Sequence, residues 1–294
     1  MMRIRLDGSP RYAMFVQVGG AFLIIFIDWY MVYPMDMGIK GVSIATSIAC
    51  IAAGSRVLIY FMFFSSQLKF YRLKATAKSL RLSLRNIGYM IKIGIPTFLA
   101  EISIGITMIA GNFMFLKYLG EDGVAAFSIG CYLFPIMFSI SEAVALASQP
   151  IISFNYGARQ FDRVSKTLKL AVATAIVCGL CITGAMAFGT KWLTMPFLSA
   201  DAPAFGMALS GLPLLGTCAI FFAINITFIG YYQSTEKALR SSIYTVLKGI
   251  IFLIPSFVFL PRIIGIQGLW LAVPVAELLT LTVVAAAFYL NKKR

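Results

Sequence analysis

The chain has 294 residues, 60% hydrophobic and 12% charged, with a formal net charge of +14. Soluble domains carry about 25% charged residues, so this composition is that of an integral membrane protein. There is no histidine, which excludes Ser-His-Asp and Cys-His catalysis and His-ligated zinc or haem; no other nucleophile–base or metal constellation is visible, so no enzymatic role is expected.

Apolar segments long enough to cross ~30 Å of hydrocarbon lie at 12–33, 41–64, 88–116, 123–152, 168–190, 206–232, 243–261 and 266–290. They predict an all-α membrane protein of about eight transmembrane helices. With the N-terminus inside, Arg3, Arg5 and Arg11 precede the first span, and Lys69, Arg72, Lys74, Lys78, Arg81, Arg85 and Lys92 lie between the second and third. Arg159, Arg163, Lys166 and Lys169 follow the fourth span, Lys237 and Arg240 the sixth, and Lys292, Lys293 and Arg294 the eighth. The outer loops hold only Lys40, Lys117, Lys191 and Arg262. This skew is the positive-inside rule, so the basic charge reports orientation and nucleic acid is not an expected partner. Arg56 and Lys248 fall within spans, near enough to the inner end to snorkel.

The basic stretch RIRLDGSPR leads into the first span without a cleavage pattern, so no secretory signal is expected. Residues 1–64 form one domain, 65–87 a basic cytoplasmic linker and 88–294 a second domain. Leu73, Leu80, Leu84 and Ile87 recur at helical spacing in the linker, as in a helix lying on an anionic lipid surface. Cys50, Cys131, Cys178, Cys181 and Cys218 all sit in apolar runs; Cys178-Gly-Leu-Cys181 has metal spacing but no second pair, so helix packing is expected.

Carboxylates inside apolar spans are costly and are functional candidates by default. Asp28 lies in the outer half of the first span and Thr46 about a turn into the second, where a short hairpin would bring both oxygens towards one cation, Na⁺ included. Glu101 lies about nine residues beyond Lys92, ~14 Å into the core at ~1.5 Å per residue. There it is neutral by desolvation unless a cation, donor or water offsets the cost, and an ion and a cationic cargo would compete for it. Pro96, Gly94, Gly105 and Gly111 let that helix bend and pack closely. Glu142 lies in the inner half of the fourth span, where water would reach it. Glu277 follows Pro274 in the eighth, with a backbone group freed by the proline as its alternative partner.

Gly38-Ile-Lys-Gly-Val-Ser-Ile-Ala45 opens the second span, and Gly265-Ile-Gln-Gly-Leu-Trp-Leu-Ala272 opens the eighth. Recurrence six spans later preserves orientation, the mark of a parallel transporter repeat whose first copy here lacks its opening four helices.

Several stretches resemble the MATE (multidrug and toxic compound extrusion) family of bacterial transporters. They are Arg5-Leu-Asp-Gly8-Ser-Pro10, Asp28 with the block ending at Thr46, and Gly94-Ile-Pro96 with Glu101. The most specific is Gln149-Pro150-Ile-Ile-Ser-Phe-Asn155-Tyr156-Gly157-Ala158. Tyr232-Gln233, Ile254-Pro255 and the Gly265 block with Pro274 and Glu277 complete the set. The resemblance implies two six-helix bundles facing a central cavity, of which this chain holds the last two helices of the first and all of the second. It implies export of amphiphilic, often cationic organic compounds from the bacterial plasma membrane against H⁺ or Na⁺, with membrane lipids as surroundings and no cofactor. Oligomeric state is not implied.

The sequence departs from that pattern in places. Ile24 stands where some relatives place an Asn one turn before the Asp, and no acid lies between Asp201 and Glu236, leaving Thr217, Asn225 and Thr227 as weak cavity candidates. Pro96, Gln149, Pro150, Asn155 and Gly157 read as gate architecture at the inner face, with Asn155 and Gly157 stopping the helix. Two alternatives stay open: a non-transporting fragment or assembly partner, and a lipid or lipid-linked-oligosaccharide flippase. The flippase would favour a basic cavity, whereas the mid-depth ionisable residues here are acidic.

Overall fold

The structure, a computed structural model, describes residues 10–64 and 76–292, and all regular structure among them is helical. Arg3, the Arg5-Leu-Asp-Gly8-Ser stretch, Lys69, Arg72, Leu73, Lys74, Lys293 and Arg294 lie outside the described residues. The chain divides between Ser83 and Leu84 into two compact units.

The smaller unit is a helical hairpin of α1 (Pro10–Val32) and α2 (Gly38–Phe63). Pro34 cannot continue α1, and Asp36 (φ 49°) and Gly38 (φ 52°) reverse the chain. Small buried residues at helical spacing, Gly41, Ala45 and Ala49, form the seam of α2. A Cβ on Gly41 would fall 3.1 Å from the Met31 Cβ and carbonyl oxygen, so glycine sets how closely the two helices meet. Near the opposite end Tyr12 packs on Tyr60 at 5.0 Å between ring centroids.

Next in the chain is α3 (Ala77–Gly157), 81 residues of helical backbone, which belongs to the larger unit from Leu84 onwards. Thr76 caps it by accepting the Ser79 N–H at 3.3 Å, so 77–87 of the predicted linker runs as helix straight into the third span. A straight helix of that size would be ~120 Å long, about four times the hydrocarbon thickness. Gly120 (φ 67°, ψ −157°) resolves this by folding α3 back on itself, in a backbone region open essentially to glycine alone. Across the fold Phe115 stacks on Phe127 at 4.4 Å, and a Cβ on Gly111 would lie 2.3 Å from the Phe127 ring. The two arms are therefore antiparallel. Seven helical segments among the described residues are long and apolar enough to cross a membrane, and with α3 counted as two arms the eight predicted crossings are accounted for.

Then follow α4 (Phe161–Phe188), the short α5 (Thr190–Thr194), α6 (Pro203–Gly216), α7 (Cys218–Ser234), α8 (Ala238–Val246), a π-turn (Leu247–Ile251), α9 (Leu253–Ile264) and α10 (Gln267–Lys292). The core centres on Phe115, Phe127, Leu212, Leu215, Phe257 and Trp270. Gly211 lies under the indole, where a Cβ would fall 1.9 Å from Trp270 Cε2. Of the cysteines, all free, only Cys218 is fully buried, in the core as a packing residue; Cys50 and Cys181 are exposed.

The recurrent Gly-x-x-Gly block has a local meaning. Gly38, Gly120 and Gly265 all take positive φ at a helical reversal. Three residues later Gly41, Gly123 and Gly268 each sit where a Cβ would meet the preceding helix within 3.1 Å. Gly120-Glu-Asp-Gly123 is a copy the sequence reading missed. It lies inside the larger unit, so the block marks a tight helical reversal, at three places among the described residues.

The two turns at the opposite face match each other as well. The Gln160 N–H donates to the Asn155 carbonyl at 2.8 Å, and the Lys237 N–H to the Tyr232 carbonyl at 2.8 Å. Each closes the preceding helix through one left-handed residue, Arg159 (φ 58°) or Glu236 (φ 60°). α3 stops at Gly157 as expected, and the left-handed residue that closes it is Arg159, two positions on. Asn155 contributes its main-chain carbonyl, while its side-chain amide donates to the Ile151 carbonyl at 2.8 Å.

Candidate functional site

Glu277 lies about ten residues into α10 and Lys248 about ten residues beyond the start of α8, each ~15 Å from its helix start. Those starts face opposite sides of the bundle, so both side chains reach mid-depth. Lys248 Nζ stands 3.0 Å from Glu277 Oε1, with the two side chains 4% and 6% exposed. Asn225 Nδ2 donates to Glu277 Oε2 at 2.7 Å and to the Glu277 carbonyl at 2.9 Å. The Phe222 ring covers the ammonium, its centroid 3.7 Å from Nζ.

This triad changes three sequence expectations. Lys248 does not snorkel to the inner surface; it is buried against an acid. Glu277 takes Lys248 and Asn225 as side-chain partners, not a backbone group freed by Pro274. The mid-depth ionisable residues are not all acidic. The missed signal was the position of Lys248, well inside the 243–261 apolar run, where an uncompensated ammonium is too costly to leave unpaired.

The local backbone places the lysine. Within α8–α9 the Phe252 N–H donates to the Leu247 carbonyl at 2.9 Å, one residue further back than in an α-helix. Such π-turns hold an extra residue and recur at functional sites. A cavity of about 30 Å³ adjoins the pair, lined by Ser103, Thr107, Phe134, Phe222, Lys248 and Glu277 among others. Gly249 is pressed against α3 so tightly that a Cβ there would fall 1.9 Å from Ser103 Oγ.

A second polar group runs along the exposed side of the same unit. Gln149 Nε2 donates to Gln233 Oε1 at 3.3 Å, and Gln233 Nε2 donates to Thr97 Oγ1 at 3.1 Å. This ladder ties both arms of α3 to α7 and joins two stretches quoted separately from the sequence. Gly230 makes room for it, since a Cβ there would lie 3.1 Å from Gln149 Nε2. Glu101 is one turn beyond Thr97 on the same arm and is exposed, so the described chain does not desolvate it. Glu142 is half-buried on the other arm and within electrostatic range of Glu101. Both acids lie about 20 residues from the Gly120 fold, which brings them to similar depth. Pro96 and Pro150 bracket this face, Pro96 buried and Pro150 half-buried.

In the smaller unit, Gly20 against Arg56 and Met31 against Gly41 fix the hairpin register. That register puts Thr46 level with Asp28. The Thr46 hydroxyl donates to its own helix at Val42, 2.9 Å away, and Asp28 Oδ1 is buried without a hydrogen-bond partner among the described residues. Arg56 turns across the hairpin, Nη1 donating to the Val16 carbonyl at 3.3 Å, where snorkelling was expected. Of the weak cavity candidates, Thr217 and Thr227 donate to the Leu214 and Ala223 carbonyls, leaving Asn225 as the one that meets an acid. No cluster of three or more metal-ligating side chains occurs among the described residues.

The larger unit is thus an all-helical bundle of membrane-spanning length with a buried ion pair and an acid-bearing polar face. Residues 96–258, more than half of the chain, match the MatE family model, and the chain belongs to the MATE family. It is 24% identical over 295 aligned residues to multidrug export protein MepA of Staphylococcus aureus and of Staphylococcus saprophyticus. The match takes in 99% of this chain and 62% of those relatives. A MATE family transporter of the MOP superfamily in an outward-facing conformation superposes with a TM-score of 0.83 at 17% identity, over 96% of this chain and 63% of that one. A MOP superfamily transporter from Pyrococcus furiosus, whose pocket of reverse polarity suggests a different function, gives 0.81 at 18% identity, over 93% and 60%. The fold is thus that of MATE transporters, and the protein is a multi-pass protein of the bacterial plasma membrane.

Proposed function

We propose that this chain forms part of a secondary exporter that moves amphiphilic, often cationic organic compounds against a flow of H⁺ or Na⁺. The observation that carries this reading is the exposed Glu101, one helical turn from Thr97 and its bonds to Gln233 and Gln149. An acid exposed at mid-depth in an apolar helix is far too costly to face lipid, so this side of the larger unit lines a water-accessible path. Discharge of Glu101 by a proton or sodium ion, in competition with a cationic cargo, then couples the two fluxes. Asp28, level with Thr46 and with one oxygen unpartnered, is a secondary cation position. Glu277, already neutralised by Lys248, is the least suited of the acids to take a transported ion.

A second reading is an assembly partner that does not export alone. A basic flippase pocket is disfavoured, since Lys248 is spent on Glu277. Reconstitution into liposomes with an imposed proton or sodium gradient tests the first reading. Gradient-driven efflux of an ethidium-like dye that disappears in Glu101→Gln is expected. Efflux seen only when further helices are supplied selects the assembly partner.

A further inference from the structure

The helical segment Ala238–Ile264 is divided between two neighbours. Its inner half, α8, packs on α7, and its outer half, α9, packs on α10. Between them lies the π-turn, which also touches α10 and carries Lys248. A π-turn relaxes to an α-turn by shifting the register of one residue, so a helix with different partners on either side of one can bend there.

Lys248 has two polar surroundings at that point. One is Glu277 Oε1 at 3.0 Å. The other is the adjoining cavity of about 30 Å³, to which Ser103 and Thr107 contribute hydroxyls. Both hydroxyl protons are committed, to the Leu99 carbonyl at 2.7 Å and the Ser103 carbonyl at 2.7 Å. Their oxygens are left as acceptors, which suits an ammonium. A cavity above ~10–15 Å³ holds a water molecule, and an ammonium head is of similar size. Nζ makes no well-directed hydrogen bond in its present position, and the buried Asn225 Oδ1 is likewise without a donor among the described residues. The ion pair is thus close in distance but incompletely bonded, the condition under which a buried cation gains from a second set of acceptors.

We propose that Lys248 is a positioning residue with two seats, and that its pairing with Glu277 locks a hinge at the π-turn of α8–α9. In the locked seat, α7, α8 and α10 are tied together through Asn225, Lys248 and Glu277. When Lys248 moves to the Ser103–Thr107 chamber, α8 is freed to swing off α7, which stays on α10 through Asn225, while α9 also stays with α10. The device sits beyond the transport reading: it concerns motion within one unit and holds whether or not the chain exports alone.

The test uses the full chain in membranes, with Cys50, Cys131, Cys178, Cys181 and Cys218 replaced by Ala and a single reporter, Ser241→Cys. Ser241 is buried on α8, its hydroxyl on the Ile229 carbonyl of α7 at 3.2 Å. Maleimide labelling of that thiol reads hinge opening. The neutral double variant Lys248→Met/Glu277→Gln removes the lock without leaving a lone charge, and should label roughly tenfold faster at an unchanged thermal midpoint. Lys248→Arg keeps a two-pronged pair with the acid while its larger head fills the chamber, and should label more slowly than the parent. Labelling at the parent rate in both variants would overturn the hinge. An absence of dye efflux in the parent would bear on the transport reading alone, because the labelling needs no cargo.

Discussion

Gln149 and Gln233, 84 positions apart in the chain, share a hydrogen bond of 3.3 Å, and Gln233 passes it on to Thr97. Amide-to-amide bonding can pass from helix to helix because each carboxamide both donates and accepts. Gln149→Leu keeps the packing but leaves Gln233 Oε1 without its donor. The expected loss is about 1 kcal/mol, read as an earlier midpoint in thermal unfolding of the detergent-solubilised protein. Gly230→Leu should be worse, because even a Cβ there meets Gln149 Nε2 at 3.1 Å.

The hairpin glycines offer a contrast between two effects of one substitution. At Gly120 and Gly265 the φ values of 67° and 66° are closed to a residue with a Cβ, although the space around them is open. Alanine at either should cost on the order of 1–3 kcal/mol through backbone strain. Gly206 is also open but carries no positive φ and lies inside α6. Alanine there should raise stability by about 0.5–1 kcal/mol. Midpoints moving in the same direction at all three positions would show that strain is not what glycine relieves at the turns.

These cases show where the sequence was legible. Hydropathy and basic-residue placement outlined the crossings, because a bilayer imposes a length of apolar helix and a charge bias that one chain displays on its own. The Gly38 and Gly265 blocks were visible for the same reason: a tight reversal demands particular residues locally. What stayed hidden was pairing across distance. Nothing within the 243–261 segment states that Lys248 meets Glu277, since that contact depends on the extra residue in the π-turn and on how α8 and α10 pack. Arg159 and Glu236 were missed because a left-handed position usually advertises itself by glycine, and here it does not.

The triad predicts asymmetry between single and paired substitutions. Lys248→Met leaves Glu277 as a lone buried carboxylate, and Glu277→Gln leaves Lys248 as a lone buried ammonium. Each should cost about 3–5 kcal/mol, while the pair of substitutions together should cost far less, because no charge is then stranded in a low-dielectric interior. A double-mutant cycle in a chemical-unfolding assay measures this coupling. Additive losses would show that the two residues act independently despite their 3.0 Å separation.

Glu101→Gln should behave in the opposite way. Glu101 is exposed and its carboxylate bonds to no other described side chain in the hydrogen-bond network, so its removal should change stability by less than about 0.5 kcal/mol. Its effect belongs to the coupling step. A neutral amide of the same shape can neither be discharged by an ion nor attract a cation by its charge, so the free-energy link between ion and cargo is lost. Coupling energies of that kind correspond to roughly 5- to 150-fold in affinity. Gradient-driven dye efflux from liposomes should therefore fall about tenfold or more while the thermal midpoint holds. Glu142→Gln supplies the comparison on the facing arm, since Glu142 lies within the field of Glu101. If Glu101 carries the exchange and Glu142 only tunes it, Glu142→Gln should retain efflux that the Glu101 variant loses. Equal losses in both variants would make the two acids one shared site, and retention in both would remove this face from the coupling path.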